Sequence, residues 1–204
     1  MIIGFSHLTY NSIEPEKAIS ALQKKGYIDR FTEIGLENSI EKKPLLNYYS
    51  AKHNLHFMTH DDAYDIEVVD HMMKKNPVKQ NRISYGSRLQ IKCLKSQLKS
   101  EEAFWLSLGF KKNNNTLQIY RPIKSWTLSF DLLESTDSLC EQKLDINGIT
   151  SIAFIVNKMD VFLATIDFLW ASQPFNLQVN NKSLNIILLK SPSGLIIELI
   201  EVVK

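Results

Sequence analysis

Apolar and polar positions run through the same order three times along the chain. Each pass opens on a short stretch that alternates with period two, the mark of a half-buried strand: FSHLTYNS from Phe5, RLQIKCLK from Arg88 and SIAFIVNK from Ser151. A helical stripe follows. In the first pass Pro15 suits an opening turn, Ala18, Ile19 and Leu22 form one apolar face, and Gly26 suits the stop. In the second, Ser100 reads as the cap, and Glu101 and Glu102 favour the positive end of the helix dipole. Ala103, Phe104 and Leu108 supply its buried side and Gly109 ends it. In the third, Asp160 reads as the cap of a helix with Phe162, Ile166 and Leu169 on one face.

Each pass closes on a hairpin-like pair of strands: NLHFMTHDDAYDIEVVDH, TLQIYRPIKSWTLSFDLLES and SLNIILLKSPSGLIIELIEV. Their first apolar positions (Leu55, Leu117 and Leu184) align, and so do the late acidic ones (Glu67, Asp131 and Glu198). The pattern predicts an α+β protein made of three strand–helix–three-strand modules at 1–75, 87–135 and 149–204, joined by more polar linkers at 76–86 and 136–148. Adjacency in the chain suggests that the second and third modules form one domain. Three modules cannot pair evenly within a monomer, which predicts a homodimer.

Composition adds limits. Hydrophobic residues make up 44% and charged residues 23%, ample for a real core. A net charge of +2, from 24 basic against 22 acidic residues, argues against nucleic acid or an anionic membrane as partner. No apolar run is long enough to span a bilayer. The start, MIIGFSHLTY, lacks the basic region and cleavable apolar stretch of a secretory signal. Cys93 and Cys140 sit in no CxxC motif and read as two thiols in a reducing, cytoplasmic setting. Phosphate loops, GxSxG elbows and HExxH helices are absent. Trp105, Trp126 and Trp170, with Phe104, Phe168 and Tyr120, read as core or cavity lining rather than a nucleic-acid stacking platform. All histidines (His7, His53, His56, His60 and His71) fall in the first third of the chain. His56 and His60 share strand parity and face one side if the strand continues, while Thr59–Asp62 equally suits a turn.

The segment EEAFWLSLGF resembles the helix end of vicinal-oxygen-chelate proteins, where an aromatic pair precedes Leu-Gly-Phe. GITSIAFIV is similar to that family's opening strand, and SPSGLIIELIEV to its final turn and strand. The resemblance implies a glyoxalase-like architecture, in which βαβββ modules pair into cupped, barrel-like mixed sheets. Strands one and four of each module are then neighbours, and family enzymes hold a metal there with His or Gln on strand one and Glu on strand four. The metal chelates two adjacent oxygens of a small substrate. Members include glyoxalases, epimerases, ring-cleaving dioxygenases, fosfomycin-inactivating thiol transferases and metal-free proteins that sequester bleomycin-type antibiotics.

Carried onto this chain, the ligand positions are His7 and Glu67 in the first module, Arg88 and Asp131 in the second, and Ser151 and Glu198 in the third. Arg88 stays protonated and repels a divalent cation. A cavity shared by the first and third modules unites His7, Glu67 and Glu198, a ligand set suited to Fe, Mn, Zn, Co or Ni. A cavity shared by the second and third unites Arg88, Asp131, Ser151 and Glu198, a polar or anion-binding pocket without metal, and Arg88 with Asp131 also suits a plain ion pair. Two readings follow. One is a metal-dependent isomerase, lyase or dioxygenase for a small oxygenated molecule. The other is a metal-free small-molecule-binding, antibiotic-resistance or biosynthetic tailoring protein, in which Arg88 holds an anionic group and aromatics such as Tyr120 line the cavity.

Overall fold

A computed structural model of the chain describes residues 1–72, 78–121, 126–166, 168 and 170–203. The first module runs β1 (Ile2–Asn11), α1 (Pro15–Gln23), β2 (Ile28–Glu37), β3 (Lys52–Thr59) and β4 (Ile66–Asp70). Pro15 opens α1, where its missing N–H costs nothing. Ala18, Ile19 and Leu22 pack on Tyr27, Met58, Ile66 and Val68, as the apolar stripe requires. A 3-10 segment, Ile40–Leu45, fills the connection between β2 and β3.

The second module follows a short strand, β5 (Ile83–Tyr85), that lies inside the stretch expected to be a linker and pairs with β6 (Leu89–Leu94). It continues through α2 (Leu98–Ser107), β7 (Lys111–Asn113), β8 (Thr116–Arg121) and β9 (Trp126–Ser135). Ser100 does not cap α2. The helix starts earlier, with Gln97 at the cap position, and the Ser100 hydroxyl donates back to Gln97 O. The third module runs β10 (Gly148–Val156), α3 (Met159–Leu163), β11 (Trp170–Ala171), β12 (Phe175–Val179), β13 (Lys182–Lys190) and β14 (Ile196–Val203). Asp160 lies within the first turn of α3, and Lys158 takes the cap position at φ 55°. Phe162 and Ile166 are buried, while Leu169 and the Trp126 side chain lie outside the described residues.

In each module the first and last strands pair in parallel, β1 with β4, β6 with β9 and β10 with β14. The modules are joined differently from what chain adjacency suggests. β1 pairs antiparallel with β10, from Ile2↔Val156 to Asn11↔Gly148. Among the described residues this joins the first and third modules into one nine-stranded sheet, in the order β11-β13-β14-β10-β1-β4-β3-β2 with β12 on β13. The second module forms its own five-stranded sheet, β5-β6-β9-β8-β7.

Adjacency fixes only how far a connector must reach, whereas burial decides the pairing. On the outer side of the β1–β10 seam Leu8, Ile152 and Phe154 are fully buried in one cluster with Trp105, Phe110 and Phe130 of the second module. The Trp105 and Phe110 rings lie 6.3 and 6.2 Å from Phe154. Strand alternation turns the intervening residues, His7, Thr9, Ser151 and Ala153, to the opposite, inner face. There Leu45, Leu46, Leu144, Phe175, Ile186 and Leu188 form a second apolar cluster.

Candidate metal centre

The strand register relates the three modules residue by residue. Glu67 stands opposite Thr9, Asp131 opposite Gln90 and Glu198 opposite Ala153. Two residues before each of those partners lie His7, Arg88 and Ser151. Because β1 and β10 run side by side, His7, Glu67 and Glu198 meet, and one ligand atom from each lies within 4.8 Å of the others.

The His7 ring is 3% exposed. Its Nδ1 lies 3.0 Å from the Ser6 hydroxyl, which fixes the ring and leaves Nε2 facing the carboxylates. Nε2 is 3.4 Å from Glu67 Oε2, yet makes no hydrogen bond of good geometry and has no other partner. The Phe57 ring stands edge-on to the imidazole at 5.5 Å. Burial pushes the Glu67 carboxyl up, but His7, Lys42 and the Thr9 hydroxyl hold it below its ordinary value. Burial pushes Glu198 up as well, and the Glu67 charge adds to this, against His7 and Lys42. Burial lowers His7, but the charges of Glu67, Glu198 and Asp65 more than reverse it. Two carboxylates drawn together out of water, beside a buried imidazole nitrogen without a hydrogen bond, make a donor set that could hold a cation. The donors fit a divalent metal: one nitrogen and two carboxylates from rigid strands leave coordination positions for substrate oxygens.

The trio forms the floor of a cavity of about 440 Å³, an ordinary size for a small-molecule site. Leu177, Ile186, Ile200 and the stacked rings of Phe31 and Phe57 make its walls. A smaller cavity of about 30 Å³ shares Glu67 and Glu198 and continues inward to Lys42, Thr9, Ser151, His53 and His71. His53 and His71 lie 5.7 Å apart, ring to ring. Burial first, then the Lys42 charge, pushes them down to about 2 and about 3, with His71 adding to the shift of His53.

The other expected site residues are placed elsewhere. Ser151 is fully buried beside the trio, and its hydroxyl has no hydrogen-bond partner. Arg88 is exposed and lines a separate cleft of about 590 Å³ with Asp61, Asp62 and Asp65. Asp131 accepts a hydrogen bond from the Thr116 hydroxyl at 2.7 Å and makes no ion pair with Arg88. Tyr120 is 58% exposed on β8. The cavity expected from Arg88, Asp131, Ser151 and Glu198 therefore does not form, because the second and third modules do not share a sheet. His56 lies 2.9 Å from the Thr32 hydroxyl, and His60 contacts Lys25 O and Asp62 N at the turn, so neither joins the trio. Lys42 was missed because it lies in a 3-10 segment with no periodic signal. The His53–His71 contact was missed because it is formed across strands.

The pairing of two βαβββ modules through their first strands, with His and Glu positions meeting inside the cup, decides the architecture. The fold is vicinal-oxygen-chelate-like. No family model matches the sequence, and no curated protein does. Solved structures with a similar course include a putative dioxygenase from Bacillus subtilis, 10% identical over 98% of this chain and 63% of that one, with a TM-score of 0.39. Glyoxalase I from Zea mays is 14% identical over 98% and 69% of the two chains, at 0.36. A Mn(II)-bound glyoxalase from Novosphingobium aromaticivorans is 13% identical over 96% and 61%, at 0.24. The chain spans less than two thirds of the first of these. At such values the likenesses say nothing about the reaction, and the strand pairing alone defines the vicinal-oxygen-chelate-like fold. No described helix is long and apolar enough to cross a membrane.

Proposed function

We propose that the protein is a metal-dependent enzyme of isomerase, lyase or dioxygenase type, acting on a small oxygenated molecule in the cytoplasm. His7, Glu67 and Glu198 hold one divalent ion, Fe, Mn, Zn, Co or Ni. The observation that carries this reading is the trio itself, with ligand atoms within 4.8 Å of one another on the floor of a cavity of ligand size. When bound, the ion supplies Lewis acidity toward adjacent oxygens and stabilises charge that develops on them. The chain's own part is to hold the donors. Ser6 orients the His7 ring, and the apolar walls exclude water from around the charged floor.

Metal analysis of the purified protein, before and after reconstitution, tests this. About one equivalent of transition metal is expected in the native protein and a large loss in His7→Ala; no retention of any of the five metals after reconstitution refutes the proposal.

A metal-free reading, as a ligand-binding, bleomycin-resistance-like or tailoring protein, draws on Ser151. It stands where a second histidine would complete four protein ligands, and it is too short to reach as one. Among the described residues the second module shares a sheet with neither of the other two. This supports a homodimer, which sedimentation velocity would show as a single species of twice the chain mass.

A further inference from the structure

We infer that the ligand of the main cavity has an apolar, ring-sized body and an anionic group that lies at the mouth against Arg30 and Lys182. This rests on the metal-site reading and adds the substrate class to it. Charge is distributed unevenly along the cavity. At the floor two carboxylates are matched by the proposed ion. At the mouth Arg30 and Lys182 face the cavity, and neither makes an ion pair or side-chain hydrogen bond with a described residue. Asp65 is the acidic group on this rim and lies within electrostatic reach of Arg30, though the two make no ion pair.

The two cations share one stretch of rim because the β12–β13 turn reaches across to β2. There Asn180 N donates to Glu33 Oε1 at 3.0 Å. Arg30 adjoins Phe31, which pairs with Phe57, which pairs with Glu67. Two strand spacings, about 10 Å, therefore separate the backbone next to Arg30 from that of Glu67. The space between is lined by Phe31, Phe57, Leu177 and Ile186. A molecule that brings paired oxygens to the floor and fills this apolar middle would carry its far end to the two cations.

Catechol probes test the idea on metal-reconstituted protein by calorimetry under anaerobic conditions: 3,4-dihydroxyphenylpropionate and its neutral counterpart 4-propylcatechol. The anionic probe should bind about fivefold more tightly at low ionic strength, a surface-type charge effect that salt diminishes. Arg30→Gln with Lys182→Gln should remove the difference while leaving the neutral probe's affinity within about twofold. Equal affinity of the two probes, equal loss of both in the double variant, or no binding of either to metal-loaded protein overturns the inference. Metal content measured on the same preparation separates the cases. Absence of metal refutes the enzyme reading, whereas metal without anion preference refutes only this one.

Discussion

Glu101 provides a sharp test of how the second module is fixed to the cup. It is fully buried in the first turn of α2 and serves two donors: Trp105 Nε1 on Oε1 and Ser193 N on Oε2, each at 2.8 Å. Ser193 belongs to the tight turn between β13 and β14, five residues before Glu198, and its carbonyl accepts from Arg82 Nη1 at 3.0 Å. Glu101→Leu leaves two buried N–H groups without acceptors, at about 1–3 kcal/mol each. The gain from no longer burying a carboxyl offsets part of this, so a net loss of about 2–4 kcal/mol is expected. In a chain of this size that lowers the midpoint of thermal unfolding by roughly 5–15 °C. Glu102→Leu is the control: the neighbouring glutamate pairs with Lys112 near the surface and should cost no more than about 1 kcal/mol. Burial raises the Glu101 carboxyl, against hydrogen bonds from Ser191, Ser193 and Trp105. A raised acid contributes most when protonated, so its contribution is full below its unfolded pKa and is lost as pH rises through the folded one. The gap between wild type and Glu101→Leu, read from urea unfolding, should accordingly narrow as pH rises from the acid side. A Glu101→Leu protein as stable as Glu102→Leu, or a gap that widens with pH, would refute the reasoning.

Other expectations follow from the same geometry. Ser151→His places an imidazole at the position on β10 that matches His7 on β1, and should tighten metal binding by about tenfold or more in chelator competition, the scale of effect a single outer partner already has; unchanged affinity would count against a metal at this spot. His53 and His71 refuse protons that the unfolded chain accepts below about 6.5, so stability should fall as pH drops from there toward about 3. Denaturant midpoints at pH 7 and pH 5 should show a shallower fall for His71→Phe than for wild type. Gly148 opens β10 at φ +118°, and a Cβ there would come within 2.8 Å of Gln80 Cγ. Gly148→Ala should therefore cost about 1–3 kcal/mol, visible as an earlier urea transition.

The sequence by itself determined the unit. Period-two strands, an amphipathic helix and a late acidic residue are local signals, and each module opens on a strand and a helix and has its first and last strands parallel, although the third carries four strands after its helix where three were expected. The offset from His7, Arg88 and Ser151 to their acidic counterparts was legible for the same reason, since strand parity sets which face a residue takes. Burial in three dimensions was not. Glu101 reads as a helix-dipole residue in the chain and is a buried acceptor in the fold, because Trp105 and the β13–β14 turn close over it. Which modules face each other was equally beyond local pattern, and tertiary structure alone decided it. The apolar backs of β1, β10 and β14 need the second module as cover, so the first and third modules share the cup. That choice brings His7 and Glu67 to Glu198 and leaves Arg88 and Asp131 outside.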